Sequence, residues 1–505
     1  MSVTSRSRFS NFTASLETYA LILCMISVAG AFLFPDALTA TIKPLIINVL
    51  AVLGGPFFLL VNFLLIGVIV LAFSPLGQRK IGGEHAKVEF SNFGWLSMLF
   101  AAGMGSGLVF WGVAEPAMHV LQPPLKQSLY PDRQAAALAI TLVNWGAHAW
   151  ALYAVFGLVL GGLSHNSGKA GDISAPVLSL TRSFFNRAEQ LKLKFLIQLL
   201  AILAIFFGVV GTIANSTLLL SKGIELKLDV HRPWLVGLII IVLLAVLYSL
   251  SARLGLKKGV QTLSQFNVFL AFFILVWLMT MVPLQPIIDV AISGSQYYIH
   301  LLVTGTWQFS SQLNAPSWAN SWTYNYYFWW LAWGPFVGVF LAKISQGRPV
   351  WQYIVGVVIV PTCVTILWFS VFSGSAIAWD SGHNSGIMAA IKVDYTQGLF
   401  VFFKQLGWQG GVLIWASLLL LLIFVATSVD SAILVIRNLA GAKSSHCLSL
   451  YTWSFVLALS SWVLLLQNNE LLNRSLAVIG ALPFLFIFIL QLIGFVKEFM
   501  AELQE

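Results

Sequence analysis

The chain has 505 residues, of which 59% are hydrophobic and only 9% are charged, whereas a soluble domain usually carries about 25% charged residues. This composition excludes a soluble enzyme. Apolar runs longer than the roughly 20 residues that cross a bilayer recur from Leu21 to Phe499. The net charge of +9 does not indicate a nucleic-acid partner, because no block of five basic residues occurs. The whole chain is therefore predicted to be a membrane domain.

Apolar runs separated by polar residues or by Pro and Gly predict twelve transmembrane helices, the first of which we do not interpret as a signal peptide. Their approximate limits are residues 16–35, 48–74, 92–119, 135–162, 194–221, 233–252, 261–283, 322–345, 350–376, 409–436, 449–467 and 475–498. Because this number is even, both termini lie on one side. Eighteen of the 27 Lys and Arg residues then share that side, and the positive-inside rule predicts that it is cytoplasmic.

Two connections are too long and too amphipathic to be simple turns. Ile287 to Leu302 has apolar residues at helical spacing and predicts an interfacial helix. Ile387 to Leu406 predicts an external helix. The three cysteines, Cys24, Cys363 and Cys447, show neither metal-ligand nor redox spacing, so neither a disulfide framework nor a thiolate site is predicted.

The third span contains three glycines at alternate positions, in the sequence AAGMGSG at residues 101–107. Each glycine costs about 1 kcal/mol in a helix interior relative to alanine. Small residues let membrane helices approach closely, and this motif is equally typical of a broken helix whose backbone lines a cavity. The glycines alone do not distinguish the two interpretations.

The eighth span begins with a tryptophan cluster. Trp329 and Trp333 are four residues apart and share a helix face, which Trp330 flanks. A single tryptophan usually belongs to an interfacial aromatic belt, but Gly334 and Pro335 follow directly and are expected to loosen this helix. The cluster therefore favours a site lined by three indole rings.

The fourth span independently supplies Trp145, Trp150 and Tyr153, together with Asn144 and His148, which lipid would not accept. His148 taken alone is more typical of a hydrogen-bonded packing residue than of a proton relay. A box of indole faces suits a quaternary ammonium group, which cannot donate hydrogen bonds and is attracted by cation–π interactions of roughly 2 kcal/mol or more when desolvated.

Three segments together resemble the betaine/choline/carnitine transporter family: GMGSGLVFWGVAEP at residues 103–116, WGAHAWALY at 145–153 and WWLAWGPFVG at 329–338, which continues to Lys343 and Arg348. The resemblance implies an all-α membrane protein with a LeuT-type fold, in which two inverted five-helix units follow two extra helices. The implied division is a tail with two peripheral helices (1–90), the first repeat (91–283), an interfacial helix and linker (284–321), the second repeat (322–498) and a short tail (499–505). Family members are typically homotrimers.

Carried onto this sequence, the resemblance implies a cage for the substrate cation made by Trp329, Trp330 and Trp333. It implies an approach and gate lined by Trp145, Trp150 and Tyr153, with Trp111 also at the site. The backbone from Met104 to Gly107 would face the substrate carboxylate. Choline carriers of the family tend to have Asp where this chain has Gly107, so glycine betaine or a similar zwitterion is favoured, with carnitine next and choline third.

The tenth span carries two successive hydroxyls that match the sodium-site pattern of the family. The resemblance implies side-chain ligands from Thr427 and Ser428, and backbone ligands from Phe424, Ala101 and Met104. Without it, such hydroxyls more often bond to the preceding turn of their own helix. Sodium-independent exchangers of the family place a fixed cationic side chain there, and no Lys or Arg lies in residues 195–221, 260–281 or 410–436. Gly211 to Ser216 departs from the pattern of a second sodium site, which leaves the stoichiometry open.

The sequence thus predicts a sodium symporter for a quaternary ammonium zwitterion, which works by alternating access in the bacterial cytoplasmic membrane among lipids. It predicts no cofactor besides the coupling sodium ion. The alternatives are a sodium-independent antiporter of the carnitine type or a choline carrier. An intramembrane enzyme would need a catalytic constellation, and a channel a filter ring; neither pattern is evident. Asp430 is expected to have a structural role near Arg437 or Lys343.

Overall fold

The structure, a computed structural model, describes residues 3–103, 105–162, 172–230, 232–441, 447–467 and 470–502. Within these ranges the chain is helical, and extended pairing is limited to two isolated bridges, Lys80 with Pro349 and Leu125 with Leu313. The helices are α1 (Val3–Leu33), α2 (Pro35–Phe73), α3 (Asn92–Gly103), α4 (Gly105–Leu121), α5 (Arg133–Trp145), α6 (Ala147–Gly162), α7 (Ala175–Thr181), α8 (Arg187–Leu228), α9 (Pro233–Gly255), α10 (Gln261–Met279), α11 (Leu284–His300), α12 (Phe309–Gln312), α13 (Trp318–Ser321), α14 (Thr323–Ile344), α15 (Val350–Ile354), α16 (Val360–His383), α17 (Ile387–Val393), α18 (Gly398–Gln405), α19 (Gly407–Leu439), α20 (Cys447–Gln467) and α21 (Glu470–Glu502).

Ten helical stretches in the described residues are long and apolar enough to cross a membrane, or eleven if α3 and α4 count as one span. Continuous helix satisfies the backbone N–H and C=O groups internally, which the hydrocarbon interior requires. The chain is therefore a multi-pass membrane protein, as its composition predicts. Most residues of the stretches Arg133–Gly161, Arg187–Leu228 and Trp318–Ile344 are buried against other helices, whereas only 28% are buried in Leu16–Leu33 of α1 and 33% in the most apolar window of α2.

One of the ten stretches, Pro233–Met279, has 47 residues. A straight helix of this length would extend about 70 Å, more than twice the hydrocarbon thickness. Gly255 interrupts it with φ +76° and ψ −175°, a conformation that is accessible to glycine because it has no Cβ. This break separates α9 from α10.

The third span is bent. Helices α3 and α4 lie at 61° to one another on either side of residue 104. The glycine motif thus coincides with a change of helix direction. Met104, predicted to contribute to both the substrate and the sodium site, lies outside the described residues.

The predicted fourth span, residues 135–162, agrees with one membrane-crossing stretch, Arg133–Gly161, but its helix is interrupted at Gly146. This residue has φ −94° and ψ −141° and separates α5 from α6. The backbone N–H of Ala147 donates a hydrogen bond to the Tyr298 hydroxyl at 2.8 Å instead of to its own helix. Tyr298 belongs to α11, the predicted interfacial helix, so α11 supports the break from outside.

The predicted external helix over 387–406 is instead two short helices, α17 and α18. Between them Asp394 is extended, with φ −149°, and its carboxylate accepts a hydrogen bond from the backbone N–H of Thr396. Such local bonding to the backbone competes with helix continuation. Tyr395, at this break, stacks on Trp111 of α4 with ring centroids 5.2 Å apart.

Arg348 joins the turn after α14 to the segment before α3. Its guanidinium donates to Asn92 Oδ1 at 2.7 Å and to the Phe90 carbonyl at 2.8 Å. It also lies over the Trp95 ring, 4.1 Å from the centroid. The side chain is only 1% exposed, so these contacts compensate for burying a charge.

We expect Arg348→Lys to destabilise the protein by about 2 kcal/mol, because an ammonium group cannot reproduce two forked hydrogen bonds and a stacked contact. The measurement is thermal unfolding in detergent. The control is the same exchange at the exposed Arg182, Arg182→Lys, which is expected to leave the midpoint unchanged. Equal midpoints for both variants would contradict this role of Arg348.

Candidate functional site

A cavity of about 70 Å³ lies where α4, α5, α8 and α14 meet, large enough for several waters or part of a small ligand. Its lining is aromatic on most sides and hydroxyl- or amide-bearing on the rest. The lining residues are Gly103, Ser106, Gly107, Phe110, Trp111, Trp145, Thr212, Asn215, Ser216, Ser321, Trp322, Asn325, Tyr326, Trp329, Trp330 and Trp333.

Most of the predicted substrate residues meet at this cavity. The six that line it are Gly107, Trp111, Trp145, Trp329, Trp330 and Trp333. Two others lie behind the lining: Trp150 stacks on Phe100 at 6.1 Å, and Tyr153 is edge-on to Trp330 at 6.3 Å. The assignment of Trp150 and Tyr153 to an approach or gate stays a prediction.

The three glycines of the motif let aromatic rings contact the helix backbone closely. A Cβ atom at Gly103, Gly105 or Gly107 would lie closer than 3.0 Å to the ring of Trp150, Phe424 or Trp145, respectively. Real Cβ atoms essentially never approach so closely. Both interpretations of the motif therefore apply, because the glycines accompany the bend and also admit three rings to the backbone.

Trp330 lies at the centre of the aromatic lining. Trp145 meets it edge-on at 5.0 Å, and Tyr326 stacks on it at 5.8 Å with an interplanar angle of 19°. Its indole N–H donates to the Asn144 carbonyl at 3.0 Å. The ring is thereby held in one orientation, as a preformed binding face requires.

Glu115 of α4 is a buried carboxylate behind this lining, and sequence reasoning did not single it out. It accepts hydrogen bonds from the Asn144 amide at 2.8 Å, the Trp145 indole at 2.8 Å and the Tyr326 hydroxyl at 2.6 Å. Two of these donors belong to rings that surround Trp330. The carboxylate thus connects α4, α5 and α14. A lone acidic residue within an apolar span was the sequence signal that could have identified Glu115.

A second feature missed from the sequence is a row of four aromatic residues spaced four apart, namely Trp318, Trp322, Tyr326 and Trp330. Successive ring centroids are 6.0, 6.3 and 5.8 Å apart. Spacing of four residues places side chains on one helix face. The exposed Ser321 and the half-buried Asn325 lie beside this row, so the cavity opens toward the start of α14.

His148 was predicted to be a packing residue. Its Nε2 atom is 2.7 Å from Asn62 Oδ1, and the Asn62 amide donates to the Thr306 carbonyl at 3.2 Å. The imidazole also packs on Phe58, with ring centroids 5.6 Å apart. These contacts join α6 to α2 and are those of a structural histidine.

The predicted sodium ligands lie together where α19 meets the end of α3. The Ser428 hydroxyl is 2.9 Å from the Ala101 carbonyl and 3.0 Å from the Phe424 carbonyl. The Thr427 hydroxyl is 3.0 Å from the same Phe424 oxygen. Ala101 lies in the last turn of α3, where carbonyls have no partner within the helix. The arrangement offers four oxygens from two elements, which is the donor type that a hard cation prefers.

On the α10 side of these oxygens the neighbouring group is polar but uncharged, because the Asn267 amide donates to Thr427 Oγ1 at 3.3 Å.

Asp430 lies one turn after Thr427 in α19 and is fully buried. Its carboxylate accepts hydrogen bonds from Ser251 of α9 and from Ser431. The partners of Asp430 among the described residues are thus these two hydroxyls, and not the predicted Arg437 or Lys343; a structural role for Asp430 stays a prediction.

Comparison with known proteins identifies the class of this molecule. The profile of the betaine/carnitine/choline family transporters (BCCT) matches residues 15–504. A glycine betaine transporter of Acinetobacter baylyi is 30% identical over 498 residues, covering 97% of this chain and 74% of that protein. Glycine betaine transporter OpuD of Bacillus subtilis is 30% identical, covering 89% and 88%. The high-affinity choline transport protein of Escherichia coli is 28% identical, covering 89% and 66%. The chain therefore belongs to the betaine/carnitine/choline transporter family and is a membrane transporter, not an enzyme.

Proposed function

We propose that this protein takes up a quaternary ammonium zwitterion, glycine betaine or a close analogue, by sodium symport. The observation that carries the proposal is the enclosure of Trp330 by Trp145 and Tyr326 at the wall of the cavity. Ring faces that converge on one volume attract a cation without supplying a hydrogen-bond acceptor. A trimethylammonium group has no donor to offer and is matched by such a volume.

The cavity also favours a ligand that carries its own anion. Among the described residues that line it, no side chain is charged. The first turn of α4, Gly105 to Gly107, contributes Ser106 and Gly107 to the wall, and free backbone N–H groups at a helix N-terminus favour a carboxylate. A zwitterion places its cation among the rings and its carboxylate at this turn.

A choline carrier is the first alternative, and the similarity to the choline transport protein of Escherichia coli supports it. Choline has no carboxylate, and family members that carry it tend to have Asp at position 107. Here a Cβ at Gly107 would overlap the Trp145 ring. The packing of this chain therefore favours the zwitterion.

Sodium coupling is supported by the oxygens of Ala101, Phe424, Thr427 and Ser428. They belong to the end of a broken helix and to the helix packed against it, a recurrent arrangement for coupling ions in carriers. On the α10 side, the described neighbour of Thr427 is the neutral amide of Asn267. The second alternative is a sodium-independent exchanger, which would have a fixed cationic side chain in place of the sodium ion.

We further propose twelve crossings, with α3 and α4 forming one span and α9 and α10 forming two. Residues 91–283 and 322–498 would then be the inverted repeats of a LeuT-type fold, whose relative motion gives alternating access. Both termini would face the cytoplasm of a bacterium. The start of α14, the eighth crossing, would then lie on the outer side of the membrane, so the cavity opens outward.

Helix α11 exposes Ile288, Ile292 and Ile299. This apolar face is suited to lipid or to a homotrimer contact.

Uptake of labelled glycine betaine by proteoliposomes under an inward sodium gradient tests the function, with carnitine and choline as competitors. We expect unlabelled glycine betaine to compete with the labelled substrate better than carnitine or choline does.

Trp330→Leu is expected to abolish most uptake, because it removes a cation–π face. The matched control is Trp415→Leu at an exposed position, expected to transport normally. Undiminished uptake by Trp330→Leu would remove Trp330 from the cage.

The sodium site is tested by replacing Thr427 and Ser428 together with Ala. We expect a sodium concentration for half-maximal uptake at least about tenfold higher, and weaker betaine binding at fixed sodium, because the two ligands are linked through one equilibrium. Thr365→Ala with Ser373→Ala removes two hydroxyls that bond only within α16 and is the control. Tryptophan fluorescence titrations that give equal affinities in sodium and potassium would favour the exchanger.

The orientation of the cavity is tested by thiol labelling in a variant without native cysteines. We expect Asn325→Cys to react with an impermeant cationic thiosulfonate added outside, and glycine betaine to slow the reaction. Thr141→Cys, at a fully buried position in α5, is expected to stay unlabelled. Reaction of Asn325→Cys only from the inside would reverse the proposed topology.

A further inference from the structure

Glu115 is placed so that its charge acts on the aromatic lining without touching the cavity. The residue is fully buried and does not line the cavity, yet two of its hydrogen-bond donors, Trp145 and Tyr326, do. Both rings contact Trp330, at 5.0 and 5.8 Å. A change at Glu115 would therefore reach a ligand through these rings and through its electric field.

The hydrogen-bond partners of Glu115 all donate to its carboxylate oxygens. An indole can only donate, and the Asn144 amide is oriented as a donor because its Oδ1 accepts from the Thr323 hydroxyl at 2.9 Å. The remaining titratable neighbour is His119, one turn along α4, whose Nε2 is 3.5 Å from Glu115 Oε1. An ionised carboxylate is an acceptor only, so it matches this set of donors.

A negative charge at this point has two effects on a cation among the rings. Hydrogen bonds polarise one another in a medium of low dielectric, so donation to a carboxylate raises the electron density of the indole and phenol faces. The charge also attracts the cation directly, with little screening inside the bundle. Neither effect acts on a neutral group of the same shape.

We propose that Glu115 is a positioning residue whose negative charge makes the aromatic cage selective for a quaternary ammonium group over an uncharged group of identical shape. The inference rests on the proposed function, since it requires a quaternary ammonium group at Trp330. It goes beyond that function by assigning part of the affinity to a residue that the ligand does not touch.

The test compares glycine betaine with 3,3-dimethylbutanoate, in which a neutral carbon replaces the quaternary nitrogen and the carboxylate is unchanged. Binding of each is measured with purified wild-type protein and with Glu115→Gln, which keeps the side-chain shape and removes the charge. We expect Glu115→Gln to weaken betaine binding about tenfold or more. Binding of the carbon analogue, whose only charge is its carboxylate, is expected to weaken by less than about threefold, or to strengthen because its repulsion by Glu115 is removed.

A parallel loss of affinity for both ligands would show a purely structural role and overturn the proposal, as would an unchanged affinity for betaine. If Glu115→Gln does not fold, Tyr326→Phe takes its place, because it keeps the ring and removes one bond to the carboxylate. Selective loss for betaine supports the proposal, and equal loss for the two ligands overturns it. A wild-type protein that does not prefer betaine to the carbon analogue would instead refute the proposed cation site.

Discussion

The structure depends on the close approach of aromatic rings to the backbone of the third span. Three glycines admit the rings of Trp145, Trp150 and Phe424 at distances that no Cβ would allow. These contacts bring α5, α6 and α19 onto the bent span, so the aromatic cage and the candidate ion site share one support. Packing of this kind is the main source of helix association in lipid, where the hydrophobic effect between helices is absent.

Polar groups in this apolar bundle are held by neighbours that match them. Arg348 has a forked pair of acceptors, Glu115 has three donors and Asp430 has two hydroxyls. Unmatched groups at such depth would each cost several kcal/mol. In the same part of the chain, the indole N–H groups of Trp150 and Trp333 and the Tyr153 hydroxyl have no partner among the described residues, and all three lie at or near the cavity.

Residue types and spacing were sufficient to predict the membrane class and the meeting of three tryptophans at one cavity. Tryptophans at 329, 330 and 333 could be assigned to one volume because helical periodicity fixes their faces, and the family resemblance placed Ser428 beside Ala101. Glu115 was missed because its role depends on donors from two distant helices. The break at Gly146 was missed for a similar reason, since its stabilising partner Tyr298 is 152 residues away in the chain. Contacts of this range are not visible in local patterns.

The row from Trp318 to Trp330 passes from half-buried to buried positions, with successive ring centroids 6.0, 6.3 and 5.8 Å apart. In the function proposed above, a trimethylammonium group that enters along this row would exchange its hydration shell for ring faces one ring at a time. No single step would then carry the whole cost of dehydration.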